Sequence, residues 1–285
     1  MSYVQLDIFV TGVVYLAAIF VLLLLGKLIY ARRHTGFVLA EELFENDNLA
    51  LSLAVVGYYL GLVFALSSVL SGEAVDLTTD LIDLFLYGGL AIVLINLSSA
   101  LNDKIILPQF RNEKEIIEDR NAGTGAVEAG NHIANGLIIS GAVNGENIDL
   151  VVVLAFWSLG QLALILGGIV YNKLSGFNLH DEIEQDNVAV GVAFAGVLIG
   201  LGNLVRFSVS GDFIDWQTSL TEFVFFLLMG LVLLPGVRIL TDRLLVTGAS
   251  LTDEMVHQED PNVGAGILEG TSYVIASILI GWAMF

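Results

Sequence analysis

Cysteine is absent from the 285 residues, so neither a disulfide nor a thiolate metal site can form. Basic residues are scarce. Eleven Lys and Arg stand against 30 Asp and Glu, for a formal net charge of −19. Nucleic acid needs a basic face and is excluded as a partner, and so is docking on anionic lipid by charge. Charge of either sign is thin, at 14% of residues against about 25% in soluble domains. The opening, MSYVQLD, has no basic stretch before its apolar run and no small-residue cleavage site after it. That run is therefore expected to stay as a transmembrane helix. No Ser/His dyad, His-Glu-x-x-His zinc motif or nucleotide loop occurs, so no catalytic residue, cofactor or metal is expected.

What is present is apolar length. Hydrophobic residues make up 56% of the chain and its mean hydropathy is +0.81. Apolar runs cover Ile8 to just before Lys27, and Val151 to Val170. About 20 such residues cross the roughly 30 Å of hydrocarbon in a bilayer. The pattern predicts an all-α integral membrane protein with eight transmembrane helices, near 8–30, 49–70, 81–101, 122–143, 150–171, 188–208, 219–240 and 263–284. Lys27, Arg32, Arg33, Lys104, Arg111, Lys114, Arg120, Lys173, Arg238 and Arg243 then fall on one side, and Arg206 alone on the other. The positive-inside rule makes the first side cytoplasmic and puts both termini outside. The outer side is acidic, with Glu73, Asp76, Asp80, Asp83, Glu146, Asp149, Asp212, Asp215 and Glu222. Such a rim either gathers cations at an entrance or is simply solvated. Asp83 and Glu222 form a matched acidic pair there, suited to capping helix starts.

The two halves can be laid over each other. TGFVLAEELFENDNLALSLAVVGYYLGL from Thr35 matches SGFNLHDEIEQDNVAVGVAFAGVLIGL from Ser175, with one residue inserted in the first. Beyond it, an offset of 139 pairs Asp47 with Asp186, Asn48 with Asn187, Ser71-Gly72 with Ser210-Gly211, Asp83 with Glu222, and Asp103 with Asp242. Near the end, an offset of 141 pairs Asn121, Gly123, Gly125 and Glu128 with Asn262, Gly264, Gly266 and Glu269. This is a duplication. The expected units are 1–143 and 150–285, each a four-helix repeat, joined by an outer linker at 144–149. An even span count gives both copies one orientation, so a twofold axis along the membrane normal is expected.

Spans two, four, six and eight all begin with Asn, at Asn48, Asn121, Asn187 and Asn262. Asn is a good N-cap. Small residues follow at four-residue spacing, including Gly57/Gly61, Gly130, Gly196/Gly200 and Gly266/Gly270, which lets backbones approach closely. These four helices are expected at the centre, with the Leu-rich odd spans outside. Taken together, Asn48-Leu-Ala through Gly61, the Gly88-Gly89 pair, Asn121 through Gly136 and their second-half counterparts resemble the YjfL-like bacterial inner-membrane proteins, the domain-of-unknown-function family numbered 350. A typical member is one four-helix unit, and this chain looks like two fused. The resemblance implies a fold and an inner-membrane location, and no site residues.

Span four carries Thr124, Glu128, Asn131, His132 and Asn135 on one helical face. Glu128 lies about 10 Å along the helix from Asn121. Span eight repeats the acid as Glu269, followed by Ser272 and Tyr273 and no histidine. An acid at a helix centre costs roughly 2.5–3.5 kcal/mol on insertion scales, and such residues are usually functional. One reading is a polar path or cation/proton site with both glutamates facing the twofold axis. The other is a structural hydrogen bond, for instance from Glu128 to Tyr58, that locks helices together. Arg206 is explained by snorkelling to the outer surface. Function is thus expected as a small-cation or proton pathway. The alternative is a membrane scaffold whose cytoplasmic loops, with FxLxEE/DE at Phe37 and Phe177, bind protein partners or another copy of the chain.

Overall fold

The computed structural model describes residues 3–71, 76–106, 112–145, 149–246 and 248–284. Glu73, Glu146, Arg111 and Gly72 lie outside the described residues. The helices are α1 (Tyr3–Arg33), α2 (Leu39–Phe44), α3 (Leu49–Ser71), α4 (Leu77–Leu101), α5 (Asn112–Ile117), α6 (Ala122–Ala142), α7 (Leu150–Leu174), α8 (Leu179–Glu184), α9 (Val188–Val209), α10 (Trp216–Leu240), α11 (Leu251–Val256) and α12 (Val263–Met284). α4 and α10 each run on into a π-helical turn, at Asn102–Ile106 and Thr241–Leu245, matched at the offset of 139.

Among the described residues seven helices are long and apolar enough to cross a membrane: α1, α3, α4, α7, α9, α10 and α12. A helix stands at the fourth expected span too, but α6 is too polar and Gly-rich to join that set. Its surroundings explain why. All of its residues except Ala129 and Ile133 are buried in protein, so it needs no lipid-facing apolar surface.

The four Asn-led helices form the core, as a parallel row α3–α6–α9–α12 with its most extensive packing between successive members. α1 and α4 flank the first half of the row; α7 and α10 flank the second. Backbone contact explains the small residues. A methyl added at Gly57 would overlap Ala129, and one at Gly61 the His132 carbonyl. Gly130 meets Ala195 in the same way, Gly196 meets Gly270, Gly266 meets Ala189, and Gly270 meets the Val192 carbonyl. Gly200 is looser, 3.1 Å from the Tyr273 carbonyl.

The row corrects the expected twofold. α6 uses Gly125 and Gly136 against α3, but Gly123, Gly130 and Gly141 against α9. An interface between unlike faces is head-to-tail, and it closes about an axis only where the outer faces of the two units also meet. The α6–α9 packing has no comparable α3–α12 partner among the described residues.

A short helix precedes each core helix, and the four Asn residues tie the set together. Each side-chain oxygen accepts an amide of the first turn, from Leu51, Thr124, Val190 and Ala265. Each amide nitrogen donates to a Glu of the preceding short helix: Asn48 to Glu42, Asn121 to Glu115, Asn187 to Glu182 and Asn262 to Glu254. Three of them also reach sideways to the next module's short helix. Asn48 donates to the Ile116 carbonyl at 2.9 Å and Asn187 to that of Met255 at 2.8 Å. Asn121 reaches the Ile183 carbonyl.

Candidate functional site

The middle of α6 is lined with polar side chains that are buried in protein. Glu128 and Asn135 are buried, as are Thr124, Asn131 and His132. Ser99 Oγ donates to Glu128 Oε1, and Asn102 Nδ2 donates to Oε2 at 2.9 Å. Asn102 opens the π-helical turn, a distortion frequent at functional sites. His132 Nε2 lies 3.2 Å from Oε1, outside hydrogen-bond geometry, while its ring meets Tyr58 edge-on at 5.3 Å. Among the described residues no Lys or Arg pairs with this carboxylate. Tyr58 is not its partner either: the hydroxyl donates to the Gly26 carbonyl and accepts from Asn96.

One turn further on, Asn135 Nδ2 donates to Asn131 O and Oδ1 at 2.9 and 3.1 Å. Its Oδ1 accepts from Ser98 and from Gln161 of α7, each at 2.6 Å, and Trp157 Nε1 donates to Ser98 at 3.1 Å. The first repeat's polar face is thus completed by two residues of the second. Thr124 Oγ1, Asn131 Nδ2 and both His132 ring nitrogens have no hydrogen-bond partner among the described residues. Buried groups of this kind ordinarily bind water or a ligand.

On the Asn-cap side Glu128 and Ser99 open into a cavity of ≈ 230 Å³, also lined by Tyr30, Arg33, Glu113 and Phe37. At the opposite end a larger cavity of ≈ 620 Å³ carries Asp149, Asp212 and Glu222. The two do not meet. Leu137, Ile138 and Ile139 fill α6 between Asn135 and that outer cavity.

The second carboxylate is arranged differently. Glu269 Oε1 accepts from Arg238 Nε at 2.9 Å, Tyr273 OH at 3.0 Å and Tyr171 OH at 3.1 Å. Ser272 is turned away, donating to the Glu269 backbone carbonyl. The void beside this cluster is only ≈ 30 Å³. Glu128 and Glu269 therefore do not share one path. Each is held by its own half, because the row sets the halves side by side instead of around an axis.

Asp83 and Glu222 are not brought together and cap no helix. The caps are the other matched acids, Asp76 on the Thr78 and Thr79 amides and Asp215 on those of Gln217 and Thr218. Those bonds hold both carboxyls below the usual range, the Thr79 bonds leading at Asp76 and the Thr218 bonds at Asp215. Arg206 is held by Asn203 at 3.1 Å and lies over the Phe207 ring. Ser98, Ser99, Asn102, Gln161, Tyr171 and Arg238 were missed from sequence. Arg238 was findable, since the 139 offset sets it opposite Ser99 just as 141 sets Tyr273 opposite His132.

Comparison with known proteins agrees with this architecture. A UPF0719 transmembrane protein of Aquifex aeolicus (strain VF5) is 25% identical over 243 residues, covering 84% of this chain and 87% of its own length. The UPF0719 transmembrane protein YshE of Bacillus subtilis (strain 168) is 31% identical over 62 residues, 22% of this chain and 46% of its own. No solved structure matches. Residues 3–143 and 147–284 each match the family described as Domain of Unknown Function (DUF350). The chain is a multi-pass transmembrane protein, and it belongs to the DUF350 family with two copies of the domain in tandem.

Proposed function

We propose that this protein is a non-enzymatic pathway for protons or small cations across a bacterial inner membrane. In this reading α6 is the eighth crossing, the basic Asn-cap end is cytoplasmic, and both termini lie outside. The observation that carries it is Glu128, which has no Lys or Arg paired to it among the described residues and stands at the end of a polar cavity and at the head of the Asn131–Asn135–Ser98–Gln161 line. The acidic outer cavity would gather cations at the other mouth. Leu137–Ile139 then act as the closed barrier, about one helical turn thick. A scaffold reading draws on Phe44, which is 81% exposed on the short helix α2 beside the core row.

The test pairs flux with stability. Glu128→Gln keeps size and hydrogen bonding and removes charge. Proton or K⁺ and Na⁺ flux into proteoliposomes should fall while the melting temperature holds, and Glu128→Leu should lose both. Absence of flux in the wild type across all three gradients would transfer the case to the scaffold.

A further inference from the structure

The duplicated carboxylate sites differ in one telling exchange. Glu269 faces a guanidinium, supplied by Arg238 at 2.9 Å and flanked by Tyr171 and Tyr273. At the matched place in the first half stands Ser99, and Glu128 has no such partner. Tyr30, as buried as Tyr171 and also near the end of its helix, lines the space that results. Where the second half is filled by the arginine side chain, the first half holds a polar cavity of ≈ 230 Å³ beside its carboxylate. The second site thus displays, covalently attached, the kind of head group that this pocket architecture accommodates.

We infer that the Glu128 cavity binds a small organic cation with a guanidinium or primary ammonium head, in the place that Arg238 fills in the second repeat. No Lys or Arg pairs with Glu128 among the described residues, so the place of a cation beside it is open to a ligand. Arg33 keeps its Nη1 on the Asn96 carbonyl at 3.0 Å. Tyr30 and Phe37 add aromatic walls, which favour cations over their faces. The inference rests on the pathway reading for what the site is for, but its own content is binding.

Methylguanidinium and propylammonium chlorides are the probes, titrated calorimetrically into purified full-length protein at constant ionic strength in NaCl or KCl. Wild type should bind one equivalent per chain and rise in melting temperature. Glu128→Gln and Ser99→Arg should each weaken binding by more than about tenfold, with Ser99→Arg at least as thermostable as wild type because it supplies its own cation. Ser99→Ala should still bind. Arg238→Ser, if it folds, should raise the stoichiometry to two; if it does not fold, the Ser99→Arg and Ser99→Ala pair decides. No saturable binding to wild type, or wild-type binding by Ser99→Arg, overturns the inference. Binding without flux would instead retire the pathway and keep the site, and flux without binding would do the reverse.

Discussion

Asn121 donates its side-chain amide to the Ile183 carbonyl at 2.6 Å, a hydrogen bond that joins the two repeats at their cap layer. The same bond joins modules within each repeat, from Asn48 to Ile116 and from Asn187 to Met255. Asn262 has no further module beside it and donates only to Glu254 among the described residues.

Asn121→Ala should therefore be costly in a way Asn262→Ala is not. It removes a cap worth about 1 kcal/mol and the bond to the Ile183 carbonyl, a further 0.5–1.5 kcal/mol or so, since that carbonyl keeps the Asp186 amide. Asn262→Ala should lose roughly the cap alone. Denaturant midpoints in detergent check the difference, and equal losses would show that the sideways bond contributes nothing.

Arg238 and Glu269 should behave as an obligate pair. Arg238→Ala leaves a buried carboxylate without its cation and should cost about 3–5 kcal/mol. Arg238→Met combined with Glu269→Gln should recover most of it. A double-mutant cycle with no coupling would contradict the pairing.

Glu115, on the basic-side short helix α5, has its carboxyl raised above the ordinary 4.5 by burial, opposed by the Asn121 hydrogen bond. A raised carboxyl stabilises the fold fully while protonated in both states, below its unfolded value. That contribution is lost as pH rises through the folded value. Glu115→Gln keeps an acceptor for Asn121 and removes the ionisation. Melting temperatures measured from about pH 4 to pH 8 should fall less steeply with rising pH in the variant. Parallel curves would show that Glu115 does not titrate differently on folding.

The proposed orientation is open to single-cysteine labelling, since the chain has no cysteine of its own. His180→Cys should react with a membrane-impermeant maleimide only after permeabilisation, and Asp212→Cys in intact spheroplasts. The reverse pattern would invert the topology.

The large features were legible because they are periodic. Apolar length marked the long helices, and the offsets of 139 and 141 marked the duplication. Asn before a small-residue run marked the core set. The polar face of α6 was legible for the same reason, at helical spacing. Its partners were not, because the Ser98-Ser99 pair and Gln161 lie in apolar runs with no pattern of their own. The row was misread as a twofold because sequence gives the equivalence of halves but not which face of α6 meets which neighbour. That depends on whether Gly130 packs on Ala195 or on a copy of its own face. Asp83 and Glu222 were favoured as caps because they match between halves, but the helices begin earlier, at Asp76 and Asp215.

An open row in which each core helix packs chiefly on its neighbours behaves as a one-dimensional chain of coupled units. α6 and α9 have two partners, whereas α3 and α12 have one. Amide exchange should then be slowest in the middle pair and quicken outward, with α12 opening first through local unfolding that leaves the centre intact. The helix that holds Glu128 is thus kinetically sheltered by position, and the one that holds Glu269 depends on its arginine clamp to stay in register.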